Sequence, residues 1–330
     1  MYQEYFGLKE NPFSLTPDPQ YFYLSASHLT AVESLLFGIQ RKMGFMVVTG
    51  DIGTGKTTLC RVLLERLAGE KIKTALLFNP FLAEEELWAT ILKDFGLPSQ
   101  NLSRKEMIDS LYEFLLALHS RGENAVLIID EAQNLSIPVL EQIRLLSNLE
   151  TAKEKILQII LFGQLELTEK LNSPDLRQLN QRLAIRLQLY PLYYKEMENY
   201  IYQRLIIAGG RGNIFFSKSA LRELYRFSKG VPRLINLLCD RALLAAFVAQ
   251  TNHIDRAMVQ RGAKNLWGEA RQKRIWERRP YTIWIIFLFL LGGLIMGSAF
   301  FPPWKNLVNL FIEKIAPYQS EIKNISYPGI

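Results

Sequence analysis

A glycine-rich run near residue 50 carries the strongest chemical signal in this 330-residue chain. Residues 50–57 fit the pattern Gly-x-x-x-x-Gly-Lys-Ser/Thr and lie between an apolar run and a helical pattern. The glycines allow successive backbone N–H groups to turn inward around phosphate oxygens, and the N-terminus of the following helix adds partial positive charge. The sequence therefore predicts a loop that binds the phosphates of ATP, formed by Gly50, Asp51, Ile52, Gly53, Thr54, Gly55, Lys56, Thr57 and Thr58.

A pair of carboxylates follows a second apolar run. Val126–Ile129 is apolar throughout and is followed directly by Asp130 and Glu131. In α/β proteins, ligands bind at the carboxyl ends of the parallel strands, where such residues would lie. We expect Asp130 and Thr57 to hold Mg²⁺. Glu131 would orient and polarise an attacking water, while Lys56 would reach the β- and γ-phosphates.

The elements that must position these residues alternate between strands and helices. Predicted strands span residues 44–49, 74–78, 125–129, 156–162 and 183–189. Between and before them, helical patterns cover residues 27–41, 56–67, 84–95, 104–119 and 136–149. This alternation predicts an α/β fold with a mostly parallel sheet covered on both faces. After Pro191 the pattern is helical only, which predicts a small all-α lid domain.

Further short motifs occur in an order found in one protein family. They are Tyr5-Phe6-Gly7-Leu8, Asn11-Pro12-Phe13, Thr16-Pro17-Asp18-Pro19, Tyr23-Leu24-Ser25, His28, Asp130-Glu131-Ala132-Gln133, Gly163-Gln164 and Gly230-Val231-Pro232-Arg233-Leu234-Ile235-Asn236. Together with the phosphate-binding loop they resemble the secretion-ATPase family of AAA+ proteins, over roughly residues 1–265. The resemblance implies a P-loop AAA+ domain followed by a helical lid.

The resemblance also implies roles for several polar residues. Gln164 matches the sensor near the γ-phosphate, where an amide can hydrogen-bond both water and phosphate. Arg233 matches the second sensor, an arginine of the lid that touches the nucleotide. Beside the fifth strand, Arg182 would act on the ATP of a neighbouring subunit, with Arg177 as the second choice. Asn11–Phe13 would line the adenine pocket.

One long apolar segment lies near the C-terminus. Tyr281–Phe301 contains no charged residue over 21 positions, and a helix of that length spans about 31 Å. It predicts one transmembrane helix. Between Lys264 and Arg279, six basic and two acidic residues carry +4 of the net charge of +7, so this flank should stay in the cytoplasm. Gly293 and Gly297 form a Gly-x-x-x-Gly pair that could pack against a second copy.

These signals divide the chain into six predicted segments. They are an N-terminal segment (1–43), the P-loop α/β ATPase domain (44–191), the helical lid (192–265), a basic juxtamembrane linker (266–280), the transmembrane helix (281–301) and a short extracytoplasmic tail (302–330). We expect a single-pass protein of the inner membrane, with a cytoplasmic ATPase domain and a periplasmic tail. The three histidines are isolated and form no zinc-binding pattern, and Cys60 and Cys239 are expected to be buried free thiols.

The function that best joins these signals is Mg²⁺-dependent ATP hydrolysis coupled to assembly of a cell-envelope machine. By resemblance, that machine would be a secretion, pilus or exopolysaccharide export system. The expected partners are ATP, further copies of the chain, membrane lipid and an inner-membrane or envelope assembly protein. A DNA-acting AAA+ ATPase similar to transposition helpers is the alternative. The predicted membrane helix and the weak positive charge outside residues 264–279 argue against binding to nucleic acid. A nucleotide-switched scaffold with little turnover is a third hypothesis, against which Glu131 argues.

Overall fold

The computed structural model describes residues 2–78, 83–151 and 154–277. Their central sheet has five parallel strands. The strands are β1 (Phe45–Gly50), β2 (Ile72–Leu77), β3 (Asn124–Ile129), β4 (Gln158–Gly163) and β5 (Leu183–Leu189). Their order in space is β2-β3-β4-β1-β5, and each neighbouring pair is parallel. The predicted α/β fold with a parallel sheet is confirmed.

Helices connect the strands and precede the first of them. They are α1 (Tyr2–Phe6), α2 (Ala26–Gln40), α3 (Lys56–Leu67), α4 (Glu84–Asp94), α5 (Arg104–Ser120), α6 (Ile137–Leu146), α7 (Leu165–Leu171) and α8 (Arg177–Gln181). Ser25, Ser103 and Ser136 begin α2, α5 and α6, and each accepts a hydrogen bond from a backbone N–H of the first turn. Helix α6 ends at Leu146, three residues earlier than the sequence pattern predicts.

The helices bury both faces of the sheet, which explains the continuous apolar runs of its middle strands. Every residue of β1 and β4 is buried. On one face Met46 packs with Leu59 of α3 and with buried residues of α2. On the other face Val47 packs in a cluster with Leu115 of α5 and Ile143 of α6. Because neighbouring residues of one strand point to opposite faces, both apolar layers fix the register of the sheet.

Beyond Pro191 the chain is mainly helical. The elements are α9 (Tyr194–Ile207), β6 (Phe215–Phe216), α10 (Lys218–Ser228), α11 (Pro232–Val248), β7 (His253–Ile254) and α12 (Arg256–Glu277). The prediction that this region holds helices only is wrong in one detail, because β6 and β7 pair in parallel. Each of these strands has two residues, too few for a periodic sequence pattern.

The chain divides into two compact units, residues 1–263 and residues 264–330. Of the second unit the structure describes residues 264–277, where α12 continues to Glu277. Within the described parts of the chain, we find no helix with the length and apolar character needed to span a bilayer. The predicted span 281–301 and the tail 302–330 lie outside those parts.

Candidate functional site

The candidate site lies where β1, β3 and β4 end, side by side in the sheet. The glycine-rich loop joins β1 to α3, Asp130 and Glu131 follow β3, and Gln164 follows β4. Because β1 and β3 both flank β4, these segments meet at one edge of the sheet. One cavity at this edge is lined by Ile52, Gly53, Thr54, Gly55, Lys56, Thr57, Thr58, Glu131, Gln164 and Arg233, among others.

Gly53 makes room for the residue that resembles the second sensor. Its φ is +80°, a left-handed conformation that favours glycine. A Cβ at this position would lie 2.7 Å from Cβ of Arg233. The Arg233 N–H donates to the Gly53 carbonyl oxygen at 3.3 Å. The loop therefore contacts the first turn of α11 directly, and Arg233 lies at the cavity with the loop.

Lys56 is buried at the start of α3. Its Nζ donates to the carbonyl oxygens of Gly50 at 2.9 Å and Asp51 at 3.0 Å. Burial lowers the pKa of the Lys56 ammonium, and the carboxylates of Glu131 and Asp130 oppose that shift. The loop carbonyls thus hold the cation beside the cavity, where it can meet phosphate oxygens.

The side chains of Thr57 and Asp130, which the sequence predicts as ligands of Mg²⁺, are in contact. The Thr57 hydroxyl donates to Oδ2 of Asp130 at 2.8 Å, although the residues are 73 positions apart. Oδ1 of Asp130 accepts the backbone N–H of Glu131 at 3.0 Å. Burial raises the pKa of the Asp130 carboxyl, and these two hydrogen bonds act in the opposite direction. A hydroxyl and a carboxylate in contact are hard oxygen donors, which fit Mg²⁺.

A small network of amides holds the Glu131 carboxylate. Oε2 of Glu131 accepts from Nε2 of Gln133 at 2.5 Å and from Nε2 of Gln164 at 3.3 Å. Oε1 of Gln133 accepts the backbone N–H of Gln164 at 3.0 Å. A Cβ on Gly163 would lie 3.1 Å from Oε1 of Gln133, so glycine leaves space for this contact. The network connects the ends of β3 and β4.

Sequence reasoning missed Gln133 as a site residue. In the sequence it stands out only as the last residue of the motif Asp130-Glu131-Ala132-Gln133. The Glu131 backbone has φ +55°, in the left-handed region. Gln133 follows in the short 3₁₀ turn Ala132–Asn134. This backbone turn brings the Gln133 amide to the Glu131 carboxylate, and sequence spacing alone does not reveal such a turn.

Arg182 lies away from the cavity of its own chain. It is exposed at the end of α8, and Nη1 donates to Oγ of Ser147 at 2.7 Å and to the Arg144 carbonyl oxygen at 3.3 Å. Arg177 is also exposed. The structure therefore brings Glu131, Gln164 and Arg233 to one cavity and leaves Arg182 outside it.

The N-terminal segment forms another wall of the cavity. Asn11–Phe13, which the resemblance assigns to the adenine pocket, are not among the residues that line this cavity. Phe13 is buried, and Oδ1 of Asn11 accepts the Tyr2 hydroxyl and the Phe13 N–H. The residues that follow line the wall instead, and they are Ser14, Leu15, Thr16, Pro17, Asp18, Tyr21, Phe22 and Tyr23. The hydrogen bonds of Asn11 hold this part of the segment away from the cavity, and the lining begins at Ser14.

Arg204 of α9 forms hydrogen bonds that connect this wall to the helices after Pro191. It is 6% exposed, and its guanidinium donates to the Ser14 carbonyl oxygen at 3.4 Å and to the Tyr200 hydroxyl at 3.1 Å. The guanidinium also lies 4.5 Å from the ring centroid of Tyr21. Asn236 of α11 donates to the same Ser14 carbonyl at 3.3 Å. Sequence reasoning missed this cluster because its members are far apart in the chain.

Comparison with known proteins places this site among AAA-type P-loop domains. A family model described as an AAA domain matches residues 39–171. General secretion pathway protein A of Aeromonas hydrophila is 44% identical over 300 residues, which is 91% of this chain and 53% of that protein. This chain thus spans about half the length of that curated relative.

Solved structures share the fold at low sequence identity. The ORC2 protein of Aeropyrum pernix has a TM-score of 0.60 at 15% identity, over 82% of this chain and 74% of that one. Drosophila ORC bound to DNA has a TM-score of 0.60 at 20% identity, over 83% of this chain and 68% of that one. The Holliday junction branch migration motor RuvB of Thermotoga maritima has a TM-score of 0.51 at 18% identity, over 76% and 74%. At such identities the likeness concerns the fold. The chain therefore carries an AAA domain with a P-loop α/β fold, and it resembles the secretion ATPases typified by general secretion pathway protein A.

Proposed function

We propose that this protein hydrolyses ATP in a Mg²⁺-dependent reaction at the edge of its parallel sheet. The observation that carries the proposal is the contact between Thr57 and Asp130 beside the carboxylate of Glu131. Two segments of the chain, the start of α3 and the end of β3, supply these groups. An oxygen pair for a cation next to a positioned carboxylate suits the hydrolysis of a phosphoanhydride.

Each residue of the site has a distinct role in this proposal. Backbone N–H groups of the loop and the Lys56 ammonium bind the phosphate oxygens. Thr57 and Asp130 hold Mg²⁺, which when bound neutralises charge on the β- and γ-phosphates. Glu131 orients the attacking water and accepts its proton. Gln164 hydrogen-bonds the water or the γ-phosphate, and Arg233 contacts the phosphates from α11.

Further copies of the chain complete the site in this proposal. Arg182 is exposed and outside its own cavity, as expected of a residue that serves a neighbour's nucleotide. An arginine supplied by another subunit stabilises charge that develops during phosphoryl transfer. Because such a contact is heterologous, it implies a ring or at least a dimer.

We further propose that the ATPase is anchored in an inner membrane by residues 281–301 and works on assembly of a cell-envelope machine. The uncharged 21-residue run and the basic residues before it support the anchor. The name of the relative, general secretion pathway protein A, supports a role in secretion. Residues 44–191 would be the ATPase domain, residues 192–265 the lid, and residues 302–330 a periplasmic tail that contacts lipid or an envelope partner.

Lys56→Ala tests nucleotide binding at this site. The variant should bind ATP at least about tenfold more weakly than the unaltered protein, because a hydrogen-bonding cation beside the phosphates is lost. Lys73→Ala, at an exposed position of β2, is the matched control and should bind like the unaltered chain. Titration of full-length protein with a fluorescent ATP analogue in Mg²⁺ measures both. Equal affinity in the two variants would contradict the proposed site.

A further inference from the structure

A buried histidine of α2 contacts the backbone of the phosphate-binding loop. His28 lies in the first turn of α2 and is 2% exposed. Its Nε2 is 3.0 Å from the Thr54 carbonyl oxygen, and its Nδ1 is 2.6 Å from Oγ of Ser25. The ring of Phe22 packs edge-on against the imidazole, with centroids 5.1 Å apart. The imidazole is therefore fixed on two polar sides and one apolar side.

These contacts define which nitrogen carries the proton. A carbonyl oxygen only accepts, so Nε2 of His28 must be the protonated nitrogen that donates to Thr54. Burial lowers the pKa of His28, which favours the neutral ring. In a neutral ring Nδ1 then accepts, and Ser25 supplies the hydroxyl proton. Ser25 thus selects the tautomer that can hold the loop.

The direction of the Thr54 carbonyl determines the direction of the next N–H. In a planar trans peptide the C=O and the following N–H point in opposite directions. Since the Thr54 carbonyl points to His28, the Gly55 N–H points to the other side of the loop. Lys56 follows directly and begins α3, so this N–H belongs to the set of amides at the helix N-terminus.

Gly55 lies so close to His28 that only glycine fits there without a shift of the imidazole. Its φ is +98°, and a Cβ there would lie 3.1 Å from Nε2 of His28. A larger residue would therefore press on the imidazole and would strain the backbone. The glycine of the motif and the histidine of α2 fit as a pair.

We propose that His28 is a positioning residue of the phosphate-binding loop, which turns the Gly55 N–H toward bound phosphate by holding the Thr54 carbonyl. This inference rests on the proposed function, since it assigns a support to the same ATP site. His28 is among the residues that line the cavity, but in this role it bonds the Thr54 carbonyl oxygen and not the phosphate. It acts through the backbone, and Ser25 acts through His28.

Two substitutions of similar length separate the hydrogen bond from the volume of the side chain. His28→Gln keeps a donor at the end of the side chain, whereas His28→Met has none. We expect His28→Gln to bind ATP within about threefold of the unaltered chain. His28→Met should bind it about tenfold more weakly, because the buried Thr54 carbonyl loses its donor. Adenosine, which has no phosphate, should bind all three proteins within about twofold, whereas a merely structural role would weaken both ligands alike.

ATP and adenosine affinities are measured on the full-length variants, with Lys56→Ala measured alongside them. Unchanged ATP affinity in His28→Met, or equal losses for ATP and adenosine, would overturn the role of His28. Unchanged ATP affinity in Lys56→Ala would instead contradict the proposed function, so the two failures are distinct. If His28→Met does not fold, ¹⁵N spectra of the unaltered protein, whose chain has three histidines, decide the question. Protonated Nε2 with unprotonated Nδ1 at His28 supports the proposal, and the opposite tautomer overturns it.

Discussion

The orientation of the Glu131 carboxylate depends on hydrogen bonds from neighbouring amides. Its carboxylate accepts hydrogen bonds from Gln133 and Gln164, and its backbone takes a left-handed conformation directly after β3. A base acts on water only when its oxygen lies within hydrogen-bonding reach of the proton it removes. Gln133 contacts both the carboxylate and the residue after β4, so it holds the Glu131 carboxylate in position relative to Gln164.

Gln133→Met should lower turnover and leave nucleotide affinity nearly unchanged. The substitution removes the donor to Glu131 and the acceptor for the Gln164 N–H while keeping a side chain of similar length. We expect kcat to fall about tenfold, which is smaller than loss of the base itself because Glu131 remains. The affinity for ATP should stay within about threefold, because the hydrogen bonds of the Gln133 side chain go to Glu131 and to the Gln164 N–H, and neither residue belongs to the phosphate-binding loop. Steady-state phosphate release and ATP titration measure the two quantities.

Gln40→Met is the control for this substitution. Gln40 is the exposed last residue of α2, and a change there should alter neither quantity. A fall in affinity equal to the fall in kcat would show that Gln133 supports the whole site instead of the base.

At the scale of elements, burial explains which parts the sequence predicts. The five strands of the central sheet start and end within about two residues of the predicted bounds. Helices cover both faces of the middle strands β1, β3 and β4, which are therefore apolar and almost wholly buried, whereas the edge strands β2 and β5 keep exposed residues. The sequence patterns do not predict the short elements α1, α7, α8, β6 and β7, none of which exceeds seven residues. Segments this short rely on contacts with the rest of the fold, which leave little local pattern. The patterns also do not predict the 22-residue helix α12, part of which falls in the predicted linker 266–280.

In the candidate site, too, the sequence predicts residues in local motifs and does not predict residues that meet only through the fold. The glycine-rich loop, Asp130 and Glu131 carry their chemistry in local sequence, and the fold places the Thr57 hydroxyl within hydrogen-bonding distance of Asp130. His28 and Arg204 were not assigned to the site from sequence. Each contacts residues more than twenty positions away, namely Thr54 from His28 and Ser14 from Arg204. Contacts of this kind exist only once the chain has folded.

At the scale of the whole molecule, the arginine outside the cavity predicts that subunits depend on one another. Arg182→Ala and Lys56→Ala should each be inactive alone, because one lacks the arginine and the other lacks nucleotide binding. Mixed together, they should regain part of the activity, since a Lys56→Ala subunit still offers Arg182 to a neighbour with an intact loop. Phosphate release across a range of mixing ratios measures the recovery. No recovery, in samples shown to contain mixed oligomers, would rule out Arg182 as the residue that acts between subunits.

We propose that the Glu131 carboxylate is the base for ATP hydrolysis at a Mg²⁺ site formed by Thr57 and Asp130. The most direct measurement compares Glu131→Gln with Glu113→Gln, which alters an exposed glutamate of α5. In the presence of Mg²⁺, Glu131→Gln should bind ATP like the unaltered protein and release phosphate at least about a hundredfold more slowly. Glu113→Gln should match the unaltered protein in both respects. Undiminished phosphate release from Glu131→Gln would contradict the account.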